Sequence, residues 1–223
     1  MSVTLRSNMK LGVLGTGMVG TTIGSKLVQL GHDVNMGSRA AGNAKATEWA
    51  KANGTHASQG TFAEAASFGE IVFNCTSGMG SLQALGLAGA ANLRGKILVD
   101  VANALDFSKG MPPSLSVCNT DSLGEQIQRA FPETHVVKAL NTVNCGVMVN
   151  PSIVPGEHDL FIAGNDAGSK ATVTQLLKQW FGWKSVIDVG DITAARATEM
   201  LLPIWVRLMG QFQTPNFNFK IVR

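Results

Sequence analysis

The sequence predicts an α/β protein with a mainly parallel, doubly wound sheet. Short and nearly continuous apolar segments alternate with helical segments along the chain, and this pattern is typical of parallel strands that helices cover on both faces. A glycine-rich segment stands directly between the first strand and the first helix. Since 223 residues are enough for one domain with a core of normal size, we expect a single domain over residues 1–223.

Eight short apolar segments, bounded by turn residues, are predicted to be strands: residues 11–14, 33–36, 54–57, 71–74, 97–100, 136–140, 159–163 and 185–188. Helices are predicted between most of them, at residues 19–30, 44–52, 61–68, 82–90, 122–130 and 168–181. The longest connection, residues 146–158, contains two prolines and is predicted to be a loop.

The glycine-rich segment reads Gly15-Thr16-Gly17-Met18-Val19-Gly20. In the context of a strand followed by a helix, its first glycine permits a tight turn, its second lets the backbone approach a pyrophosphate, and its third allows close helix packing. The phosphates would lie at a helix N-terminus, where free amides and the helix dipole favour anions. The segment therefore predicts a dinucleotide-binding Rossmann fold.

The end of the second strand indicates which dinucleotide is bound. Gly37 stands where an acidic side chain would hold the ribose 2′-hydroxyl of NAD, and no carboxylate is present there. Ser38 and Arg39 instead offer a hydroxyl and a guanidinium group, which suit a 2′-phosphate by charge and by bidentate geometry. NADP is the expected cofactor, although Arg39 alone is equally compatible with a solvated loop cation.

Composition excludes several classes of protein. The net charge of +3 comes from cations spread along the chain, which gives no footprint for nucleic acid. The longest strongly apolar run, residues 201–206, is too short to span a bilayer, and the first residues lack an apolar signal region, so a cytoplasmic protein is expected. Cys75, Cys118 and Cys145 are expected to be buried free thiols, with no disulfide framework and no metal site.

The catalytic residues are not evident from the sequence. The chain has no tyrosine, and its histidines, His32, His56, His135 and His158, precede strands or lie in loops, so we interpret them as structural. The carboxyl ends of the strands carry neutral segments at residues 74–77, 101–103 and 140–142. Such a lining fits hydride transfer to a redox ring, although these residues also commonly only end strands. Lys138 lies in an apolar strand with no role that the sequence assigns.

Residues 194–223 are too few for a separate substrate domain. Residues 194–209 are predicted to form a helix kinked at Pro203, followed by an extended tail at residues 216–220. Apolar residues occupy more of this helix than one buried stripe requires: Leu201, Leu202, Ile204, Trp205, Leu208 and Met209. We expect this segment to complete the substrate pocket or a homodimer interface, with burial inside the monomer as the alternative.

With these residues in place, the chain resembles the NADP oxidoreductases that use the deazaflavin coenzyme F-420, and the related NADPH domains of ferric reductases. The resemblance covers nearly the whole chain and is carried by four segments: residues 15–20, 30–39, 136–142 and 217–220.

The resemblance implies that Thr16 to Gly20 hold the pyrophosphate and that Ser38 and Arg39 hold the 2′-phosphate. It also implies a group of residues that border the ribose and nicotinamide: Thr76, Ser77, Asn103 and Ala139. The family often has proline after the fourth strand, where this chain has Thr76 and Ser77.

We expect an enzyme that transfers hydride between NADPH and a small-molecule redox substrate, a deazaflavin or flavin. Two alternatives stay open: a reductase of a small carbonyl or imine, which would need a proton donor, and a non-catalytic NADPH-binding regulatory protein.

Overall fold

A single eight-stranded sheet organises the chain, of which the computed structural model describes residues 4–223. Its strands are β1 (Lys10–Leu14), β2 (Asp33–Ser38), β3 (Ala57–Thr61), β4 (Ile71–Asn74), β5 (Ile97–Asp100), β8 (His135–Ala139), β9 (Asp159–Gly164) and β10 (Ser185–Asp188). The remaining strands, β6 (Leu105–Asp106) and β7 (Ser114–Leu115), form a small antiparallel hairpin.

The strand order is β10-β9-β8-β5-β4-β1-β2-β3, and every neighbouring pair is parallel except β8 with β9. The chain builds outward from β1 to β3 and then returns to the other side of β1 with β4. The carboxyl ends of β1 and β4 therefore flank the point where the strand order reverses, and Leu14 is in register with Asn74 there. Ligands of doubly wound sheets bind at this crevice. The predicted mainly parallel Rossmann sheet is confirmed.

Over residues 4–223, ten α-helices surround the sheet: α1 (Met18–Gln29), α2 (Ala44–Asn53), α3 (Phe62–Phe68), α4 (Gly78–Ala88), α5 (Ala90–Leu93), α6 (Leu123–Ala130), α7 (Cys145–Val149), α8 (Ala167–Phe181), α9 (Ala195–Met200) and α10 (Leu202–Phe212). Strand residues alternate between two hydrophobic clusters. In β4, for example, Ile71 and Phe73 join the cluster with α1, α2, α7 and α8, whereas Val72 joins the one with α3 to α6.

The strand predicted at residues 54–57 was placed too early. Residues 54–56 form a short 3₁₀ turn after α2, and the strand β3 occupies residues 57–61 instead. The helix predicted at residues 82–90 begins at Gly78 and ends before Gly89, whose positive φ of 87° separates α4 from α5.

The loop prediction for residues 146–158 was wrong, because this segment contains most of α7 and a 3₁₀ turn at Pro151–Ile153. Asn144 caps α7 by accepting a hydrogen bond from the amide of Gly146. The prediction of three buried thiols also needs correction: Cys75 and Cys145 are buried, but Cys118 is exposed.

The helix predicted at residues 194–209 with a kink at Pro203 is divided in two at Leu201, into α9 and α10. Pro203 lies in the first turn of α10, a position that needs no amide donor. The tail then runs beside β9, where the amide of Asp159 donates to the carbonyl of Phe219 and the amide of Ile221 donates to the Asp159 carboxylate. This tail forms no strand of its own.

Candidate functional site

The glycine turn after β1 is fixed by close backbone contacts. Gly15 has a φ of 117°, and a Cβ atom at this position would lie 2.6 Å from the carbonyl oxygen of Cys75. A Cβ atom at Gly20 would lie 2.1 Å from the carbonyl oxygen of Gly15. Both positions therefore exclude a side chain, and the turn brings the start of α1 against the end of β4.

Gly17 differs from its neighbours because a Cβ atom there would meet nothing within 4 Å. It is the N-cap residue of α1 and, having no side chain, cannot cap the helix itself. The first turn of α1 contains no acidic residue. Within residues 4–223, no side chain caps the start of α1, and the space beside Gly17 is open, which is the arrangement that binds phosphate at a helix N-terminus.

The end of β2 presents an exposed arginine. Arg39 is exposed, and its guanidinium makes no hydrogen bond or ion pair within residues 4–223. Ser38 is buried, and its hydroxyl donates to the Ala40 carbonyl at 2.6 Å.

Gly37 is explained by packing. A Cβ atom at this position would lie 2.8 Å from the Cβ atom of Ala65 in α3, so no acidic side chain fits here. The missing carboxylate is thus a requirement of the α3 contact, and the case for a 2′-phosphate depends on Ser38 and Arg39.

A cleft of about 620 Å³ opens beside the glycine turn at the carboxyl edge of the sheet. Its polar lining comes from the segments that follow β4, β5 and β8: Thr76, Ser77, Asn103, Asn141 and Asn144. Its larger apolar side chains come from the hairpin, α7 and α10: Phe107, Met148, Leu202 and Trp205. Among the described residues that line it there is no histidine, lysine, arginine, aspartate or glutamate.

The hydroxyl of Thr76 is oriented by the buried side-chain amide of Asn74. It donates to the side-chain oxygen of Asn74 at 2.6 Å, and the Asn74 amide donates to the Asp100 carboxylate at 2.8 Å. The β4 and β5 ends are thereby tied together under the cleft. Such fully paired buried networks fix the geometry of the groups above them.

The turn after β8 is backbone-strained. Leu140 is fully buried and has a φ of 65°, a conformation that a branched side chain rarely adopts. This turn brings Asn141 to the cleft, where its side chain bonds to Asn103. Ala139, by contrast, is fully buried in the core under this edge and does not line the cleft, so its place at the nicotinamide stays a prediction.

Cys75 lines the cleft but is not an activated nucleophile. Burial, reinforced by the charge of Asp100, raises the pKa of its thiol far above the usual range. A thiol with a raised pKa is poorly ionised and hence unreactive at neutral pH, in agreement with the sequence interpretation.

Three of the four histidines make structural contacts with their side chains. His32 is buried against the ring of Trp180 and His56 contacts Asp33, both at the amino edge of the sheet. His158 lies on the carboxyl side because β9 is reversed, which the sequence did not indicate. Its Nε2 donates to the Pro151 carbonyl at 3.0 Å and its Nδ1 accepts from Asn218 at 2.9 Å. With both nitrogens engaged, it has no free group to offer a substrate.

Sequence reasoning missed the cleft residues of the hairpin and of α7. No periodic apolar pattern marks the two-residue strands of the hairpin, and the prolines after α7 concealed that helix. The capping residue Asn144 was the available signal for α7. For Leu202 and Trp205, the sequence predicted a pocket or interface role, and both line the cleft of their own chain.

Within residues 4–223, no three histidine, cysteine, aspartate or glutamate side chains are grouped so as to hold a metal ion. Over the same range, no helix combines the length and the apolar character needed to cross a bilayer.

Comparison with known proteins identifies the family. A family model described as NADP oxidoreductase, coenzyme F420-dependent, matches residues 10–104. The solved structure of a candidate F420-dependent NADP-reductase from Arthrobacter sp. FB24 is 52% identical, with a TM-score of 0.92 over 96% of this chain and 100% of that chain.

More distant relatives share parts of the chain. Metalloreductase STEAP3 of Rattus norvegicus is 30% identical over 204 residues, which is 88% of this chain but only 38% of the length of that protein. A reductive aminase from Aspergillus terreus, solved with NADPH and ethyl levulinate, is 18% identical with a TM-score of 0.66, over 92% of this chain and 63% of that one. At that identity the likeness concerns the fold alone. Because a solved relative with 52% identity is matched over its whole length, the chain belongs to the family of coenzyme F420-dependent NADP oxidoreductases.

Proposed function

We propose that this protein transfers hydride between NADPH and a deazaflavin or flavin ring held in the cleft. The observation that carries the proposal is the character of the cleft, which lies beside the nucleotide turn and is lined by neutral polar and apolar groups. Carbonyl reduction calls for a positioned proton donor, which typically contributes about a hundredfold to ten-thousandfold in rate. Transfer between two redox rings needs close, aligned packing instead.

The residues present fit NADP. The pyrophosphate is assigned to the segment from Thr16 to Gly20, since the open space at Gly17 admits an anion to the first-turn amides of α1. Arg39, exposed and unpaired within residues 4–223, is assigned to the 2′-phosphate. Ser38 joins it if its hydroxyl turns from the Ala40 carbonyl toward the phosphate. The bound nucleotide supplies the hydride chemistry, and the protein supplies position and exclusion of water.

The nucleotide side and the acceptor side of the cleft are assigned from the lining residues. Thr76, Ser77 and Asn103 lie where the ends of β4 and β5 face the cleft, and they are proposed to border the ribose and nicotinamide. The flat side chain of Trp205 is stacked on Phe217 at 5.3 Å between ring centroids, so it presents a rigid wall. Its indole nitrogen is buried without a hydrogen-bond partner within the described residues, which is uncommon except where a ligand completes the bond.

Stopped-flow reaction of the purified protein with NADPH tests the proposal. We expect oxidation of NADPH with deazaflavin F420, or with a flavin, and no rate above background with simple aldehydes, ketones or imines. Turnover of a carbonyl or imine that one side-chain change abolishes would overturn the proposal. Tight NADPH binding without turnover of any ring acceptor would favour a regulatory NADPH-binding protein instead.

We also propose that the protein is a homodimer that uses the outer face of α10. Ile204 and Phe212 on this helix are 46% and 53% exposed, although both are large apolar side chains. Leu202 of the same helix is buried toward its own chain. The helix is thus apolar on more of its circumference than its own core covers, which is the pattern of an association surface.

A further inference from the structure

Lys138 occupies a position where a lysine is costly. It lies in β8 with a fully buried side chain, in the middle of the sheet. Its ammonium group lies 2.7 Å from Oδ2 of Asp100, 2.8 Å from Oε1 of Glu199 and 2.6 Å from the carbonyl oxygen of Ala102. These partners come from the end of β5 with the segment directly after it and from α9, so the cation joins β8 to two other parts of the chain.

The charges around Lys138 are balanced by a helix end. Two buried carboxylates face one ammonium group, and Glu199 also accepts hydrogen bonds from the amides of Leu123 and Gly124 at 2.9 and 3.0 Å. These amides belong to the first turn of α6, where the helix dipole favours negative charge. Burial alone would lower the pKa of Lys138, but the two carboxylates outweigh it and raise that pKa.

One arm of this cluster reaches the floor of the cleft. Asp100 accepts a hydrogen bond from the Asn74 amide at 2.8 Å through the oxygen that does not face Lys138. Asn74 in turn orients the hydroxyl of Thr76, which lines the cleft. The position of the ammonium group is therefore linked to the nucleotide side of the site by three consecutive hydrogen bonds.

The other arm reaches the wall of the cleft. Glu199 lies in α9, directly before α10, whose Leu202 and Trp205 line the cleft. A Cβ atom at Gly124 would lie 2.9 Å from that of Ala195, so α6 and α9 pack closely. An ion pair between the partly exposed Arg196 and the buried Glu125 also joins these two helices. The buried end of their contact is held by Lys138 and Glu199.

We propose that Lys138 is a positioning residue for hydride transfer. Through Asp100 and Glu199 it sets the distance between Thr76 and Trp205, which line opposite parts of the cleft. The inference rests on the proposed function of the cleft. Lys138 itself touches neither nucleotide nor acceptor in this scheme. Its role is to hold α9 and α10 against the ends of β5 and β8 through buried ion pairs.

Three variants and a control test the role: K138M, E199Q, their combination, and R94Q. The Glu199 carboxylate accepts from three donors: Lys138, Leu123 and Gly124. In E199Q one carboxylate oxygen becomes an NH2 group, which cannot accept, so at least one of these donors faces another donor. K138M leaves two buried carboxylates without their cation and risks unfolding, whereas the double variant replaces one of the two carboxylates with a neutral amide. R94Q removes an exposed ion pair of 3.0 Å with Glu133, outside the cleft lining.

Hydrogen exchange, NADPH titration and single-turnover hydride transfer are then measured on each folded variant. In E199Q we expect amides of residues 195–212 to exchange about tenfold faster or more, since a hydrogen bond to a charged group is lost, while exchange in β1 and α1 is unchanged. The hydride-transfer rate should fall by roughly tenfold to a hundredfold, because a displacement of about 1 Å costs on that order. The Kd of NADPH should stay within about twofold, as for R94Q.

Two results would overturn the inference. One is unchanged exchange at residues 195–212 in E199Q and in the double variant. The other is exchange that rises equally in α1 and α10, because this would mark a general loss of stability. If the unmodified protein turns over no ring acceptor, the proposed function fails, and exchange at residues 195–212 still decides whether Lys138 positions the wall.

Discussion

Asn103 and Asn141 bond to each other across the cleft edge of the sheet. Nδ2 of Asn103 donates to the Asn141 carbonyl oxygen at 2.8 Å, and Nδ2 of Asn141 donates to Oδ1 of Asn103 at 3.0 Å. The pair ties the segment after β5 to the strained turn after β8. Each amide is therefore oriented by the other, and the two act on the cleft as one unit.

This pairing predicts a small and non-additive effect of substitution. N103A and N141A should each lower kcat/KM for NADPH and ring acceptor by less than about a hundredfold, since neither donates a proton in the reaction. The double variant should be little worse than the poorer single one, because contacting residues are coupled. Steady-state kinetics decides this, with N53A, an amide at the end of α2, as the control. Complete loss of turnover in one single variant would contradict it.

Arg39 is expected to set the preference for NADPH over NADH. R39A removes one or two charge-assisted hydrogen bonds to a 2′-phosphate, at about 1.5 to 3 kcal/mol each, so the Kd of NADPH should rise about tenfold or more. The Kd of NADH should hardly change. K51A, which removes an exposed cation from the far end of α2, should leave both unchanged. Equal affinity of the unmodified protein for the two nucleotides would refute this assignment.

Gly17 and Gly20 should respond to the same substitution in opposite ways. G17A should leave the thermal midpoint nearly unchanged, because its Cβ atom meets nothing within 4 Å, yet it should weaken NADPH binding by filling the space before α1. G20A should destabilise the fold, since its Cβ atom would lie 2.1 Å from the Gly15 carbonyl oxygen. Calorimetry and nucleotide titration of both variants separate the effects, and undiminished NADPH binding by G17A would show that the phosphates lie elsewhere.

Asp121 should contribute acid-sensitive stability at the start of α6. Hydrogen bonds from Arg129 lower its pKa from 3.8 to about 2, outweighing partial burial. A folded-state pKa below the unfolded value stabilises the fold fully above about pH 4, and that stability is lost as the pH falls through about 2. The free energy of unfolding should therefore fall more steeply between pH 4 and pH 2 in the unmodified protein than in D121N. Parallel slopes in denaturant titrations would contradict this.

The outer face of α10 should control assembly. Sedimentation equilibrium is expected to give a dimer for the unmodified protein and a monomer for I204D, since a charge on an apolar interface loses its hydration. L87D, which alters an equally exposed apolar residue on α4, should remain dimeric. A stable monomer of the unmodified protein at micromolar concentration would exclude the dimer.

Sequence reasoning located the central strands because burial on both faces leaves a clear signal. The segment Ile71–Asn74 is wholly buried, and its bounds were predicted to the residue. The strand β3 was displaced because it lies at the sheet edge and reads Ala-Ser-Gln-Gly-Thr, with no apolar alternation to mark it. The local pattern of apolar residues therefore indicates whether a strand is buried, but not with which strands it pairs.

The glycine turn and the neutral strand ends were also visible in the sequence, because each lies within a short segment. The partners of Lys138 were not visible in the sequence. Asp100 precedes it by 38 residues, and Glu199 lies far from it along the chain, in α9. The direction of β9 was hidden for the same reason. An apolar segment such as Asp159–Gly164 has the same pattern whichever way it runs.

The reversal of β9 divides the surface connections into two groups that can change independently. Because β9 runs against β8, residues 140–158 leave the sheet and return to it on the cleft side, and the segment between α8 and β10 lies on that side as well. The connections that follow β9 and β10 lie at the opposite edge. Insertions in the first group would enlarge or narrow the cleft while the glycine turn keeps its contacts. Within residues 4–223 the second group contributes no residue to the cleft lining. Of its two connections, the one after β10 leads into α9 and so bears on the cleft wall, whereas the one after β9 leads into α8.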